Sequence, residues 1–216
     1  HRVRYRAVLA YDGGAYLGFQ RQARGATVQA VVESALEVVS GRPASLLAAG
    51  RTDTGVHATG QVISFDMDWA YDEATLCRAV NANLPSDVAL QSVARVTDDF
   101  HPRYDALSRR YRYTVLETSV RQPLAARQTW QVPPQLDLQA MHEAAAMLLG
   151  SHDFAAFGTP PQGASTVREL FVSEWQSVAT ASGRQVIYTV EATAFLYHMV
   201  RRLVGMMVGV GRGRLT

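Results

Sequence analysis

The chain has 216 residues, 48% of them hydrophobic and 19% charged, with a formal net charge of +2. This composition excludes a disordered polyelectrolyte and a polycation, and the length suits one large domain or two small ones, each able to bury a core. All 21 basic side chains are arginine, and a single cysteine, Cys77, excludes an internal disulfide or a thiolate metal cluster.

The absence of lysine reads first as a coding bias, so the arginines carry meaning only where they cluster. Cys77 sits in the helix-like run Leu76-Cys77-Arg78-Ala79-Val80 and reads as a buried, inert thiol. No apolar run approaches the roughly 20 residues that span a bilayer. No signal-peptide pattern opens the chain, so a cytoplasmic protein is expected.

In chain order, Val3 to Tyr11 reads as a strand closed by the turn Asp12-Gly13-Gly14. Thr27 caps a predicted helix to Ser40, with Val28, Val31, Val32, Ala35, Leu36 and Val39 at helical spacing and Gly41 as its stop. Leu46 to Ala49 is a short buried strand, and Gln61 to Met67 another. Asp72 caps a second helix through about Ala82, Val88 to Val96 is a strand, and Asp98 to Pro102 is a junction. Beyond it, Arg109 to Leu116 alternates, placing Tyr111, Tyr113 and Val115 on one face and Arg110, Arg112 and Thr114 on the other. A short strand is expected over Arg127 to Val132, and an alanine-rich helix from Asp137 to Leu149, ended by Gly150. A Gly/Pro/Ser loop then leads to strands near Glu169 to Val178 and Gln185 to Ala194. An apolar helix from Leu196 to about Val210 carries Arg201 and Arg202. The expected class is α+β, in two domains of residues 1–100 and 101–216.

The densest group of unusual residues is Gly50-Arg51-Thr52-Asp53-Thr54-Gly55-Val56-His57, preceded by apolar residues and followed by a strand. An arginine and a carboxylate on such a loop can be presented into a cleft by a rigid scaffold. An isolated Arg-x-Asp reads more simply as a turn whose aspartate bonds nearby backbone. The flanking Gly, Thr and His positions weigh against that simple turn.

This loop resembles the TruA family of tRNA pseudouridine synthases, whose members carry alanine at the position of Thr54. Further stretches match in the family's order: Tyr11-Asp12-Gly13, Gly18-Phe19-Gln20-Arg21-Gln22 and Thr27-Val28-Gln29 near the start, then Asn81 to Pro85 and Asp98 to His101. Ser108-Arg109-Arg110-Tyr111-Arg112-Tyr113 resembles the family's tyrosine strand, and Phe195-Leu196-Tyr197-His198-Met199-Val200-Arg201 its closing motif. The resemblance spans essentially the whole chain.

The resemblance implies a two-domain pseudouridine synthase fold with mostly antiparallel sheets and a basic cleft between the domains. It also implies isomerisation of uridine to pseudouridine at positions 38 to 40 in the anticodon stem-loop of tRNA, by a homodimer in which one tRNA contacts both subunits. That reaction breaks the bond from uracil N1 to the ribose, turns the base and joins its C5 to the same carbon. There is no redox change or hydrolysis, so neither metal nor organic cofactor is expected. One carboxylate suffices, as nucleophile at the anomeric carbon or as base at the neighbouring one, and the sequence leaves both routes open.

By resemblance, Asp53 is that carboxylate, Tyr111 the active-site tyrosine and Arg201 the aspartate's basic partner. Periodicity alone would make Tyr111 a core residue, and Tyr113 is expected to be core. Arg51 is expected to enter the space that the target base leaves when it is flipped out of the stack. Arg21, Arg24, Arg109, Arg110, Arg112, Arg201 and Arg202 together suggest a phosphate-tracking surface, although each alone reads as a solvated side chain. The histidines show no metal-ligand spacing, and Gly13-Gly14 is too weak a signal for a nucleotide loop. A non-catalytic RNA-binding module of the same fold is the main alternative. A glycoside hydrolase would need two carboxylates, and no second one lies in a matched motif. Family members continue past the closing helix with a further helix and strand, so a tail beyond Thr216 is expected.

Overall fold

The computed structural model describes residues 2–161 and 163–216. Its contacts separate into two compact units that divide between Ala106 and Leu107.

The first unit is built on a four-stranded antiparallel sheet of order β2-β3-β1-β4, from β1 (Val3–Tyr11), β2 (Leu46–Ala48), β3 (Ala58–Met67) and β4 (Val88–Arg95). β1 runs through the middle, and the alternating residues Tyr5, Ala7, Leu9 and Tyr11 are all buried, as period-two patterning requires. They pack against helices α1 (Val28–Ser40) and α2 (Glu73–Asn81), which contribute Val32, Leu36, Leu76 and Val80. Local chemistry sets the helix limits. The Thr27 hydroxyl accepts the Ala30 N–H, the Asp72 carboxylate accepts that of Thr75, and Gly41 ends α1 in the left-handed conformation at φ 67°.

The second unit holds a five-stranded sheet of order β6-β5-β9-β8-β7. Its strands are β5 (Arg109–Glu117), β6 (Trp130–Val132), β7 (Gly150–Asp153), β8 (Val167–Thr180) and β9 (Gly183–Ala192). Only the β5–β6 pair is parallel, so both sheets are mostly antiparallel, in keeping with the expected α+β class. Val115, Tyr188, Val190, Trp175 and Leu170 form the sheet side of the core, beneath α3 (Leu138–Ala146) and α4 (Met199–Gly211). The two helices touch closely because Gly211 has no side chain; a Cβ there would lie 2.5 Å from Met141 Sδ.

Several boundaries differ from the sequence expectation. The third helix stops at Ala146 rather than Leu149, and Gly150, at φ 88°, turns the chain into β7. That strand is exposed throughout and polar, so it has no apolar alternation to announce it. The last helix begins at Met199 rather than Leu196 because Tyr197 is held extended, its N–H donating to the Thr159 carbonyl at 3.0 Å. β3 begins at Ala58, three residues before Gln61, and β6 is shortened to Trp130–Val132.

Candidate active site

The loop between β2 and β3 carries Arg51, Asp53 and His57 without regular secondary structure. It leaves the sheet gradually: Ala49 N–H still donates to the Val62 carbonyl at 2.9 Å, and the Gln61 side chain donates to the Gly50 carbonyl at 2.8 Å. A tight turn follows, in which Val56 N–H donates to the Asp53 carbonyl at 3.1 Å and Gly55 takes φ 80°. The sequence is therefore a turn, as the simplest reading held, but a turn fixed on several sides.

The fixing comes from the segment that follows β1. Tyr11 Oη and Thr52 Oγ1 are 2.7 Å apart, and Phe19 N–H donates to the Thr52 carbonyl at 3.0 Å. Gly13 N–H donates to His57 Nδ1 at 3.0 Å. Gly13 has no room for a side chain, because a Cβ would sit 2.0 Å from the Val56 carbonyl oxygen. Gly18 is at φ 84° with its missing Cβ 3.0 Å from the Thr52 carbonyl. The motif Tyr11-Asp12-Gly13 and the Gly18-Phe19 pair thus form a cradle for residues on both sides of Asp53. In the sequence alone these residues carry no evident task, and Gly13-Gly14 is only a weak nucleotide signal. Their task is close backbone approach. The available clue was their occurrence in the same ordered set of motifs as the loop.

His57 belongs to this packing. Its Nδ1 lies 3.0 Å from both the Gly13 nitrogen and Asp12 Oδ1, and it cannot accept from the first and donate to the second in one protonation state. Nδ1 accepts the Gly13 N–H, while Asp12 Oδ1 accepts the Gly14 N–H at 2.8 Å. Asp53 is half-buried and Arg51 is exposed.

In the second unit β5 presents Tyr111 and Tyr113 on its helix-covered face. Both are half-buried, since the core deepens only toward Val115. The Tyr111 ring meets Phe195 edge-on, with centroids 4.9 Å apart, and Tyr113 meets Trp130 in the same manner at 6.5 Å. Burial pushes the Tyr113 phenol above its ordinary range, and the Arg201 guanidinium opposes that shift. Tyr113 packs against the core from a half-buried position, in keeping with what periodicity suggests. Arg201 and Arg202 are both exposed on the first turns of α4.

The proposed phosphate-tracking arginines divide into two kinds. Arg21 pairs with the buried Glu33 carboxylate at 2.8 Å, and Arg110 pairs with Glu191 at 2.6 Å. Arg109 donates to the Thr193 carbonyl at 2.9 Å. These three brace the fold. Arg24, Arg112, Arg201 and Arg202 are exposed and have no carboxylate partner among the described residues.

A cavity of about 480 Å³ lies elsewhere in the second unit, lined by Glu117, Gln122, Gln135, Gly183 and Arg184 among others, and contains none of the candidate residues. Among the described residues no three of His, Cys, Asp or Glu gather into a group able to hold a metal ion. No described helix is long and apolar enough to cross a membrane.

Comparison with known proteins links the two units. Residues 7–105 and 144–216 match the profile of a family described as tRNA pseudouridine synthase. The matched segments include Asp53 and Arg201, and Tyr111 falls between them. A protein of Syntrophotalea carbinolica named tRNA pseudouridine synthase A is 46% identical over 210 residues, covering 96% of this chain and 81% of that protein. Proteins of the same name from Myxococcus xanthus and Methylobacterium nodulans are each 43% identical, covering 98% of this chain and 79% and 83% of theirs.

Proposed function

The chain belongs to the tRNA pseudouridine synthase family, and from that membership we propose that it isomerises uridine to pseudouridine in tRNA, with Asp53 as its essential carboxylate. The observation that carries the assignment of Asp53 is its position on a loop braced by backbone contacts on both sides, through Thr52 and through Val56 and His57. A carboxylate that must meet one carbon of a ribose needs such a mount, because catalysis by proximity depends on near-attack geometry.

Asp53 acts on the sugar, as nucleophile at the anomeric carbon or as base at its neighbour. The freed uracil turns, its C5 bonds to the anomeric carbon, and the C5 proton is lost while N1 gains one. Atoms and electrons balance within the substrate, so the chemistry asks for no cofactor. Tyr111 stacks on the flipped uracil, a role suited to a half-buried ring already braced edge-on by Phe195. Arg201 is the basic residue that the family resemblance assigns to the reaction, and Arg51 occupies the space left by the base. The exposed Arg112, Arg201 and Arg202 offer phosphate contacts.

The finer assignments follow the same resemblance. The target uridines are those at positions 38 to 40 of the anticodon stem-loop, and the enzyme is a cytoplasmic homodimer. Incubation with a uridine-containing anticodon stem-loop, without metal or cofactor, should yield pseudouridine. Asp53→Ala should bind the RNA and form none. Product from that variant would overturn the assignment, and binding without product by the unmodified protein would favour the RNA-binding alternative.

A further inference from the structure

The closing motif contains a side chain that the reaction above does not use. Tyr197 is 60% exposed, although its neighbours Leu196 and Met199 are fully packed into the core. Its ring lies on that of His198, with centroids 3.8 Å apart and planes 27° from parallel. The pair is an exposed tyrosine stacked on a half-buried histidine.

The backbone beneath the pair is held firmly. Tyr197 N–H donates to the Thr159 carbonyl at 3.0 Å, in an isolated antiparallel bridge. Gly158 lies against the same segment so closely that a Cβ would come within 2.5 Å of Leu196 Cβ and 2.7 Å of the Tyr197 carbonyl oxygen. His198 then takes φ 63°, a left-handed conformation that a non-glycine residue adopts only when its surroundings impose it. The Arg202 N–H closes the first turn of α4 onto the His198 carbonyl at 3.1 Å. Arg202, exposed and with no carboxylate partner among the described residues, thus lies one helical turn from His198 along the backbone.

An exposed, rigidly mounted aromatic pair with an exposed arginine one helical turn away has the elements that bind single-stranded nucleic acid, a ring for the base and positive charge for the backbone. A lone exposed tyrosine would need no explanation. The stacking, the bridge, the left-handed histidine and the exposed Arg202 together do. We propose that Tyr197, backed by His198 and followed one helical turn later by Arg202, is a stacking subsite for an unpaired RNA nucleotide other than the one isomerised. This inference rests on the tRNA reading and adds a second base contact to it. Apolar stacking and charge select RNA loops over duplex stems, because only unstacked bases expose a face.

The test uses the whole protein and an anticodon stem-loop RNA. Tyr197→Ala should raise Kd and KM about tenfold, within the range for loss of one base–aromatic stack, while kcat at saturating RNA stays within about twofold. Tyr197→Phe should restore both constants, because stacking needs the ring and not the hydroxyl. In Tyr197→Trp, indole emission should be quenched when RNA is added, relative to the same titration of the unsubstituted protein. Unchanged Kd and KM in the alanine variant, a phenylalanine variant as weak as alanine, or an unquenched tryptophan would overturn the subsite. These outcomes leave the unsubstituted enzyme making pseudouridine, whereas failure of the functional reading itself would show as no pseudouridine from that enzyme.

Discussion

The loop Gly50 to His57 and the strand–helix pair β5 and α4 hold their candidate side chains by opposite means. The loop has no regular hydrogen-bond ladder and little apolar burial; hydrogen bonds to Thr52 and His57 and the bare glycines Gly13 and Gly18 keep it in place. Tyr111 and Arg201 instead stand on regular elements that pack other residues, such as Val115, Leu203 and Val204, into a core. A position defined by a few close contacts is sensitive to sub-ångström changes and contributes little to global stability. A position defined by a core is the reverse. In the first region a substitution should affect rate before stability, and in the second, stability before rate.

The largest expected effect tests the core-mounted region. Leu203→Ala removes a fully buried side chain of α4 and should lower unfolding free energy by about 2–5 kcal/mol, measured by urea denaturation. The folded fraction should keep most of its pseudouridine-forming rate; a collapse of rate without loss of stability would break the comparison. Next comes Gly13→Ala, which places a methyl group against the Val56 carbonyl and must shift the loop. A loss of about 100-fold in kcat is expected, the scale of an ångström misplacement. Gly50→Ala, with open space around it and no left-handed φ, is the paired control and should stay within about threefold of the parent.

A third test concerns the buried Glu117, which accepts the Leu136 N–H at 2.6 Å and pairs with Arg184. Burial alone would raise its carboxyl, but the Arg184 guanidinium and the backbone donors outweigh burial and hold it below the usual carboxylate range. Because the folded-state value is depressed, its stabilisation is complete above the ordinary carboxylate pKa and is lost as pH falls through the lower folded value. Glu117→Gln should cost about 1–3 kcal/mol near neutrality and flatten the acid limb of stability against pH. An unchanged acid limb would remove Glu117 from that role. The smallest effect is expected from Tyr11→Phe, which deletes the hydroxyl facing Thr52. About a fivefold fall in kcat with unchanged KM would show that one hydrogen bond of the cradle tunes the loop. A matching rise in KM alone would assign Tyr11 to RNA binding instead.

Much of the molecule is legible in the chain because its signals are local. Thr27, Asp72 and Asp137 cap the three helices they precede, since a side-chain oxygen three residues from an N–H needs no distant partner. β1 is read to its exact ends from alternation, and the loop containing Asp53 stands out through its neighbours in sequence. Family membership is likewise a property of ordered motifs, which exist before folding. What sequence could not supply are contacts between segments far apart in the chain. Gly13 looks like any turn glycine until Val56 lies against it, 43 positions later, and Arg21 looks solvated until the buried Glu33 is brought to it. β7 exists only because β8 offers an edge to pair with, and α4 starts late because Thr159 captures Tyr197. The one-dimensional pattern therefore determined most of the elements, the family and the candidate carboxylate. Tertiary packing decided which glycines and arginines brace the fold and which aromatic rings remain at the surface, because those choices depend on what lies opposite each side chain.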